Sequence, residues 1–256
     1  MKQLDLNCDM GELTEAIADG TQEALMPSLT SVNVACGGHA GDQRTMQATI
    51  QQALRWKLAI GAHPGYPDRA NFGRVELKLP AEAVAKFVFE QVQALAAVAA
   101  GCGTYLTHVK PHGALYNQAA HNRELAAAIA NGVARWSRDV VLVGLAGSPM
   151  LDAFREVGFA VAAETFADRR YEPNGTLRSR KFADALIRDP EEAGRQALSI
   201  VERGLVVASD GSEVRVNAQT VCIHGDTPGA PAIAAAVARM LRQAGVKLTA
   251  LGCARE

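Results

Sequence analysis

The sequence predicts an α/β fold: a seven-stranded parallel βα barrel, TIM-like, with a small β-hairpin insertion. Three observations predict it. Short apolar runs of strand length alternate with longer stretches of helical period, the pattern of βαβ units and a parallel sheet. Five of the six histidines lie in motifs rich in Gly, Pro, Asp and Lys, each closing one of those apolar runs. Polar residues near the strand ends also share a parity: Asn7 with Asp9, His108 with Lys110, His224 with Asp226. Side chains alternate along a strand, so in a closed sheet that parity points to the axis at the carboxyl-terminal mouth. The alternative, an open doubly wound sheet, is disfavoured by the same parity.

The first strand, near 3–8, ends in Asn7-Cys8-Asp9-Met10-Gly11-Glu12, with Asn7 and Asp9 inward and Glu12 on the following turn. Asp9 could instead simply cap that turn. The second strand, near 31–36, runs into Cys36-Gly37-Gly38-His39-Ala40-Gly41-Asp42. Its glycines let backbone N–H groups approach an anion at a helix start, and Asp42 caps the helix over 43–56. His39 has no evident structural need there, whereas Cys36 has core alternatives that weaken a Cys36/His39 nucleophile pair. The third strand, near 58–62, leads into His63-Pro64-Gly65-Tyr66-Pro67-Asp68, a rigid loop around His63. A helix over 81–100 follows Pro80, with Val84, Phe87, Val88, Val92, Leu95 and Ala96 as its apolar stripe.

The fourth strand, near 105–110, carries His108 and Lys110 on one face, with His112 beyond Pro111. An inward lysine is costly unless paired or bound to an anion, so Lys110 is the candidate for holding a substrate carboxylate or a polarised oxygen. Asn122 caps a helix over 122–137, and His121 beside it reads as surface. A strand near 140–145, a helix over 149–157 and a strand near 160–164 ending at Glu164 come next. From Phe166 to Phe182 apolar periodicity is lost and Asp168, Arg169, Arg170, Tyr171, Arg178, Arg180 and Lys181 crowd together, as in a long ordered loop or lid. Asp189, Pro190 and Glu192 start a helix over 190–203. The β-rich arms 205–208 and 214–216 flank an Asp-Gly turn, a hairpin before the last barrel strand. That strand, near 220–224, ends in His224-Gly225-Asp226, before a helix over 230–244.

A chain of 256 residues, 48% hydrophobic, suffices for one large core, and no linker divides it, so a single domain over 1–256 is expected. A net charge of -1 leaves no basic surplus for nucleic acid or an anionic membrane, and neither is expected as a partner. The five cysteines are odd in number and form no C-x-x-C pair, which suggests neither a disulfide framework nor a zinc knuckle. Met1-Lys2-Gln3-Leu4-Asp5 reads as strand rather than export signal, and Glu82, Lys86 and Glu90 argue against a membrane span over 81–100. A cytoplasmic location fits. There is no P-loop for ATP, and the His/Asp spacing matches no zinc signature, so no tightly bound metal is expected.

Six blocks, read together, resemble the LamB/YcsF family, the A subunits of bacterial ATP-dependent 5-oxoprolinases. They are Asp5 to Glu12, Ala35 to Asp42, Gly61 to Asp68, His108 to Asn117, Glu164 to Tyr171 and Cys222 to Pro228, in order over nearly the whole chain. The chain departs from the family pattern at Leu13-Thr14-Glu15, where a Ser-Phe-Gly-like run is expected, and at Asp184, where Gly is usual. The resemblance implies a barrel of the glycoside hydrolase/deacetylase type that opens 5-oxoproline to L-glutamate. It also implies ATP, Mg-bound, as co-substrate and two further subunits, B and C, as partners. Joined to the residue reading, it makes Asp9, His39, His63, Lys110 and His112 the expected catalytic set. Asn7, Glu12, Glu164, Arg170, His224 and Asp226 are then the expected substrate-binding residues. The rival readings are a stand-alone metal-dependent amide hydrolase or carbohydrate deacetylase, and a non-catalytic binding component.

Overall fold

The computed structural model describes residues 2–252; Met1 and Cys253 lie outside them. Six parallel strands follow in order: β1 (Gln3–Met10), β2 (Ser31–Ala35), β3 (Ala59–His63), β4 (His108–Val109), β5 (Val141–Leu145) and β6 (Ala160–Phe166). After the two-stranded hairpin β7 (Leu205–Val207) and β8 (Glu213–Arg215), strand β9 (Thr220–His224) pairs with both β6 and β1, closing a seven-stranded barrel. A short β10 (Lys247–Leu248) adds to the start of β1 outside the ring. The helices are α1 (Thr14–Ala18), α2 (Thr21–Leu25), α3 (Gln43–Arg55), α4 (Ala81–Gly101), α5 (Gly113–Ala119), α6 (Arg123–Ala134), α7 (Pro149–Glu156), α8 (Pro190–Arg203) and α9 (Ala230–Gln243).

The expected caps form. Asp42 accepts from Thr45 N at 2.8 Å, Asn122 from Leu125 N at 3.0 Å and Asp189 from Glu192 N at 2.7 Å, each satisfying an otherwise unpaired N–H of a helix start. Outward residues of the strands, among them Leu6, Cys8, Val32, Val34, Ile60 and Leu142, pack in one core with Val84, Val88, Val92 and Leu95 of α4. By length and composition alone α4 would suffice to cross a membrane; here its apolar stripe is part of that core.

Several boundaries differ from the sequence reading by a few residues, β1 for instance running on to Met10, and three differences matter most. The fourth strand shrinks to two residues; Pro111, with no N–H to continue the ladder, ends it, while Thr107 N and Lys110 N on either side still bond Ile60 O and Ala62 O. The sixth strand runs on to Phe166 beside β9. Helices α1, α2 and α5 and strand β10 are additional, all too short to leave a periodic signature. The segment after β6 is ordered by bridges from Arg169 to Leu186, Tyr171 to Leu177 and Tyr171 to Ala208, the last docking it on the hairpin.

Inside the barrel β1 supplies one residue per layer: Asp5, Asn7 and Asp9. At the base Asp5 accepts from the Thr30, Ser31 and Thr220 hydroxyls at 2.5–2.9 Å. Val141, Val143 and Ala162 form a small separate apolar cluster with Leu251 packed on it. In the layer above Asp5, Asn33 donates to Asn7 Oδ1 at 2.8 Å, and Asn7 donates to Glu164 at 3.0 Å and Thr220 at 2.6 Å. The His108 ring fills the space beside Asn33, which is possible only because β3 carries glycine opposite: a Cβ on Gly61 would lie 2.2 Å from His108 Nε2. Gly61→Ala is therefore expected to displace the imidazole and lower stability by about 1–3 kcal/mol. Denaturant unfolding reads this directly, and an unchanged midpoint would show that the ring is not fixed there.

Candidate active site at the barrel mouth

The top layer is organised by Lys110, which follows β4 directly and points onto the axis. Its ammonium lies 2.9 Å from Asp9 Oδ1 and 2.9 Å from Glu164 Oε1, 3.0 Å from Cys222 Sγ and 3.4 Å from Asn7 Oδ1. The side chain is 3% exposed, so a free charge there would be untenable. Burial works against the ammonium, but Asp9, with Cys222 and Glu164, outweighs it and holds the lysine above its usual pKa. In return, and against its own burial, Asp9 is held well below the carboxylate range by His63 and Lys110. The Cys222 thiol is pushed up by burial and stays a neutral acceptor.

Beside this ion cluster stand three imidazoles and Glu12. Gly11, at φ +76°, turns the chain after β1 and is anchored by Gln22 Oε1 at 2.7 Å, so that Glu12 reaches over the mouth. Glu12 Oε1 lies 2.9 Å from His39 Nε2, 3.1 Å from His112 Nδ1 and 3.7 Å from His63 Nε2. Two tautomers follow from backbone partners. His63 Nδ1 donates to Lys110 O at 2.7 Å and His112 Nε2 donates to Phe72 O at 2.9 Å, since a carbonyl can only accept. Their other nitrogens, His63 Nε2 and His112 Nδ1, then face each other at 3.0 Å. In neutral rings both would present lone pairs, next to the acceptor oxygens of Glu12 and Asp9. A positive species must sit among them. Burial drives His39 down to about 4, so that ring is neutral, whereas Asp9 overcomes burial and raises His63.

The structure brings together Asn7, Asp9, Glu12, His39, His63, Lys110, His112 and Glu164 from the sequence-derived set. His224 joins them from the rim, a ring nitrogen within 4.8 Å of Asp9 and Cys222, its Nδ1 2.9 Å from Asp168 Oδ1 and its ring stacked on Phe166. Asp226 accepts from Arg180 Nη1 at 2.8 Å and pairs with Arg74. Arg170 stands apart from these groups, paired with Glu192 of α8 at 2.8 Å. The Cys36 thiol is buried against Gln91 and raised by burial, and His121 is exposed. The grouping of Glu12, His39, His63 and His112 has the composition of a metal centre, which sits uneasily with the expectation of no bound metal.

Several contributors escaped the sequence reading. Asn33 and Thr220 read as ordinary strand residues, although their parity marks them as inward. Asp168 looks like one charge among many in the lid, yet it is fully buried and also accepts from His224 N at 3.1 Å and Thr227 Oγ1 at 2.8 Å. Its position just past the end of β6 was the available signal. Arg74 and Arg180 come from loops whose paths no local pattern determines.

The sequence model of the LamB/YcsF family matches residues 4–255. The 5-oxoprolinase A subunit of Chloroflexus aggregans is 49% identical over 246 residues, covering 96% of this chain and 98% of that protein. The protein of the same name from Heliobacterium modesticaldum is 46% identical over 248 residues, covering 97% and 98%. A crystal structure of a lactam utilization protein from Thermus thermophilus superposes with a TM-score of 0.90 at 42% identity, covering 97% of this chain and 100% of that one. A family 4 carbohydrate esterase from Streptomyces lividans, covering 99% of this chain and 95% of that one at 10% identity, shares the barrel at a TM-score of 0.53.

The buried network has a pH signature. His108 Nε2 donates to Asn33 Oδ1 at 2.8 Å and its Nδ1 takes the Thr107 hydroxyl at 2.8 Å, so the neutral ring is fully satisfied. Burial, reinforced by Lys110, lowers its pKa to about 3. The unfolded chain binds this proton below about pH 6.5 and the folded one does not, so stability is full above pH 6.5 and is lost as pH falls toward 3. Between pH 7 and pH 5 the protein should lose about 2 kcal/mol more than His108→Gln, which keeps a donor for Asn33. Denaturant unfolding at the two pH values checks it; parallel losses would mean that His108 is not held neutral.

Proposed function

The chain belongs to the LamB/YcsF family, and on that premise we propose that it is the lactam-opening A component of an ATP-dependent 5-oxoprolinase. On this reading it cleaves 5-oxo-L-proline to L-glutamate with ATP, Mg-bound, as co-substrate, in the cytoplasm and together with subunits B and C. The chain acts as one βα-barrel domain over 1–256. The observation that carries the reading is the buried Lys110 ammonium beside Asp9, with Glu12 and three histidines at one mouth. A small anionic substrate with a reactive carbonyl suits such a site: Lys110 offers charge-assisted donation to an oxygen, and the carboxylates and imidazoles take or give protons.

In this mechanism the lactam oxygen displaces ADP from the γ-phosphoryl group, which makes the ring carbon electrophilic. Water, directed by Asp9, adds to that carbon; the ring C–N bond breaks, the nitrogen takes a proton and an acyl phosphate remains. A second water releases phosphate and leaves glutamate. Asp9 is the base, Lys110 stabilises the oxygen that gains charge, and His39, His63 and His112 complete the catalytic set. Asn7, Glu12, Glu164, His224 and Asp226 orient the substrate, and Arg170, placed on Glu192, has the least direct route to it. Arg74 and Arg180 on Asp226 offer two cations at the rim for an anion.

The Glu12/histidine grouping favours a second reading, a stand-alone metal-dependent amide hydrolase or carbohydrate deacetylase. Turnover of 5-oxoproline or of acetylated sugars without ATP or partners would select it. For the first reading, reconstitution with subunits B and C should give glutamate and phosphate from 5-oxoproline in step. Asp9→Asn and Lys110→Met should each cut that rate by about 100-fold or more. Near-normal coupled rates in both variants would place the chemistry elsewhere.

A further inference from the structure

The positive species required among Glu12, His39, His63 and His112 has two candidate identities, a proton or a metal ion, and the geometry separates them. A single proton resolves one contact. Placed on His63 Nε2 it bridges to His112 Nδ1 at 3.0 Å, but His112 Nδ1 then has no proton for Glu12 Oε1, 3.1 Å away. His39 can donate from Nε2 to Glu12 Oε1 at 2.9 Å, and its buried Nδ1 has no partner whether Nε2 carries a proton or meets an ion. Formal charge is also out of balance: Asp9, Glu12 and Glu164 contribute three negative charges and Lys110 one positive, a surplus of two.

We infer that Glu12 Oε1, His39 Nε2, His63 Nε2 and His112 Nδ1 form the binding site of one divalent transition-metal ion. The four atoms lie within 4.8 Å of one another, and the closer pairs are spaced at 2.9, 3.0, 3.1 and 3.7 Å. Ligands at about 2.1 Å from a tetrahedral ion are about 3.4 Å apart, so these spacings need only small adjustments. Two of the three imidazoles are oriented as metal ligands are: His63 by its Nδ1–H on the Lys110 carbonyl, His112 by its Nε2–H on the Phe72 carbonyl. His39 is stacked on His112, centroids 3.5 Å apart and planes 4° from parallel, so one of these two rings must turn out of the stack for both lone pairs to meet at one ion. Three nitrogens and one carboxylate oxygen suit zinc-like ions and not magnesium or calcium, which take oxygen ligands. The ion's two charges match the surplus counted above. The neighbouring group of Asp9, Cys222 and His224 is different, because the Lys110 ammonium already lies against two of its three members.

On this inference His39, His63 and His112 are ligands and not acid-base groups, which leaves Asp9 and Lys110 for proton and charge transfer. The site is complete within this chain and requires neither lactam, ATP nor partner proteins. Its test is thus separate from that of the proposed reaction, and either can fail alone.

The test uses the full chain, stripped with a chelator and given Co(II) or Zn(II) alone. About one equivalent of metal per chain should survive gel filtration, with Co(II) giving the visible ligand-field bands of imidazole coordination, and Zn(II) should raise the melting temperature. His63→Ala and His112→Ala should each weaken binding by more than about 100-fold while the stripped proteins still melt cooperatively. His121→Ala, at an exposed histidine, should bind as the parent does. Substoichiometric loading of the parent chain would overturn the inference whatever the variants do, and so would full loading of both histidine variants.

Discussion

Everything at the mouth depends on keeping one ammonium charged on the barrel axis. An unpaired buried charge costs several kcal/mol, and Lys110 escapes that only because β1 and β6 each present a carboxylate oxygen 2.9 Å away. The layer beneath follows from this requirement. Thr107 donates to His108, His108 to Asn33, Asn33 to Asn7 and Asp9, and Asn7 to Glu164 and Thr220. The chain ends on Asp9 and Glu164, the carboxylates that hold the lysine, and through Thr220 on Asp5, so both amides and the imidazole have one permitted orientation. Burial holds the His108 ring neutral, and Lys110 reinforces it, since a protonated ring would reverse a link and set a second cation beside the ammonium.

The rim is held more loosely than the interior. Arg180 of the lid and Arg74 of the loop before α4 meet on Asp226, but Arg74 is exposed and Arg180 only partly covered. Pairs in contact with water contribute at most about 1 kcal/mol each, so Arg180 and Arg74 add little to a lid already anchored by the buried Asp168 and Tyr171. That division suits a site that must admit a small substrate without disturbing the buried charges below. The barrel itself does not dictate the chemistry: the Streptomyces lividans esterase has the same strand arrangement at 10% identity.

Much of this was legible in the sequence, for identifiable reasons. Strand parity is a local property, so Asn7, Asp9, His108 and Lys110 could be placed inward without knowing their neighbours. The caps at Asp42, Asn122 and Asp189 are equally local. The short helices α1, α2 and α5 were not legible, because five to seven residues carry too little period to register. Asn33, Thr220 and Asp168 were missed because their roles exist only through partners more than twenty residues away. That Glu12, His39, His63 and His112 come together was not legible for the same reason. They come from the ends of four separate strands, His63 within β3 and the others just beyond β1, β2 and β4, whereas recognised ligand spacings describe residues within one or two adjacent elements. Arg170 and Arg180 show the limit most plainly: both belong to one lid, and only the fold decides which of them reaches the mouth.

The central claim is that the Lys110 charge and its two carboxylates form one interdependent unit, and a stability cycle measures that directly. Denaturant unfolding of Lys110→Met should show a loss of about 3–5 kcal/mol, because Asp9 and Glu164 are left buried beside each other without a counter-charge. Adding Glu164→Gln to that variant should recover a large part of the loss, although the same change alone is destabilising. If Lys110→Met unfolds at the parent's midpoint, or if the two losses simply add, the ammonium is not what the mouth is built around.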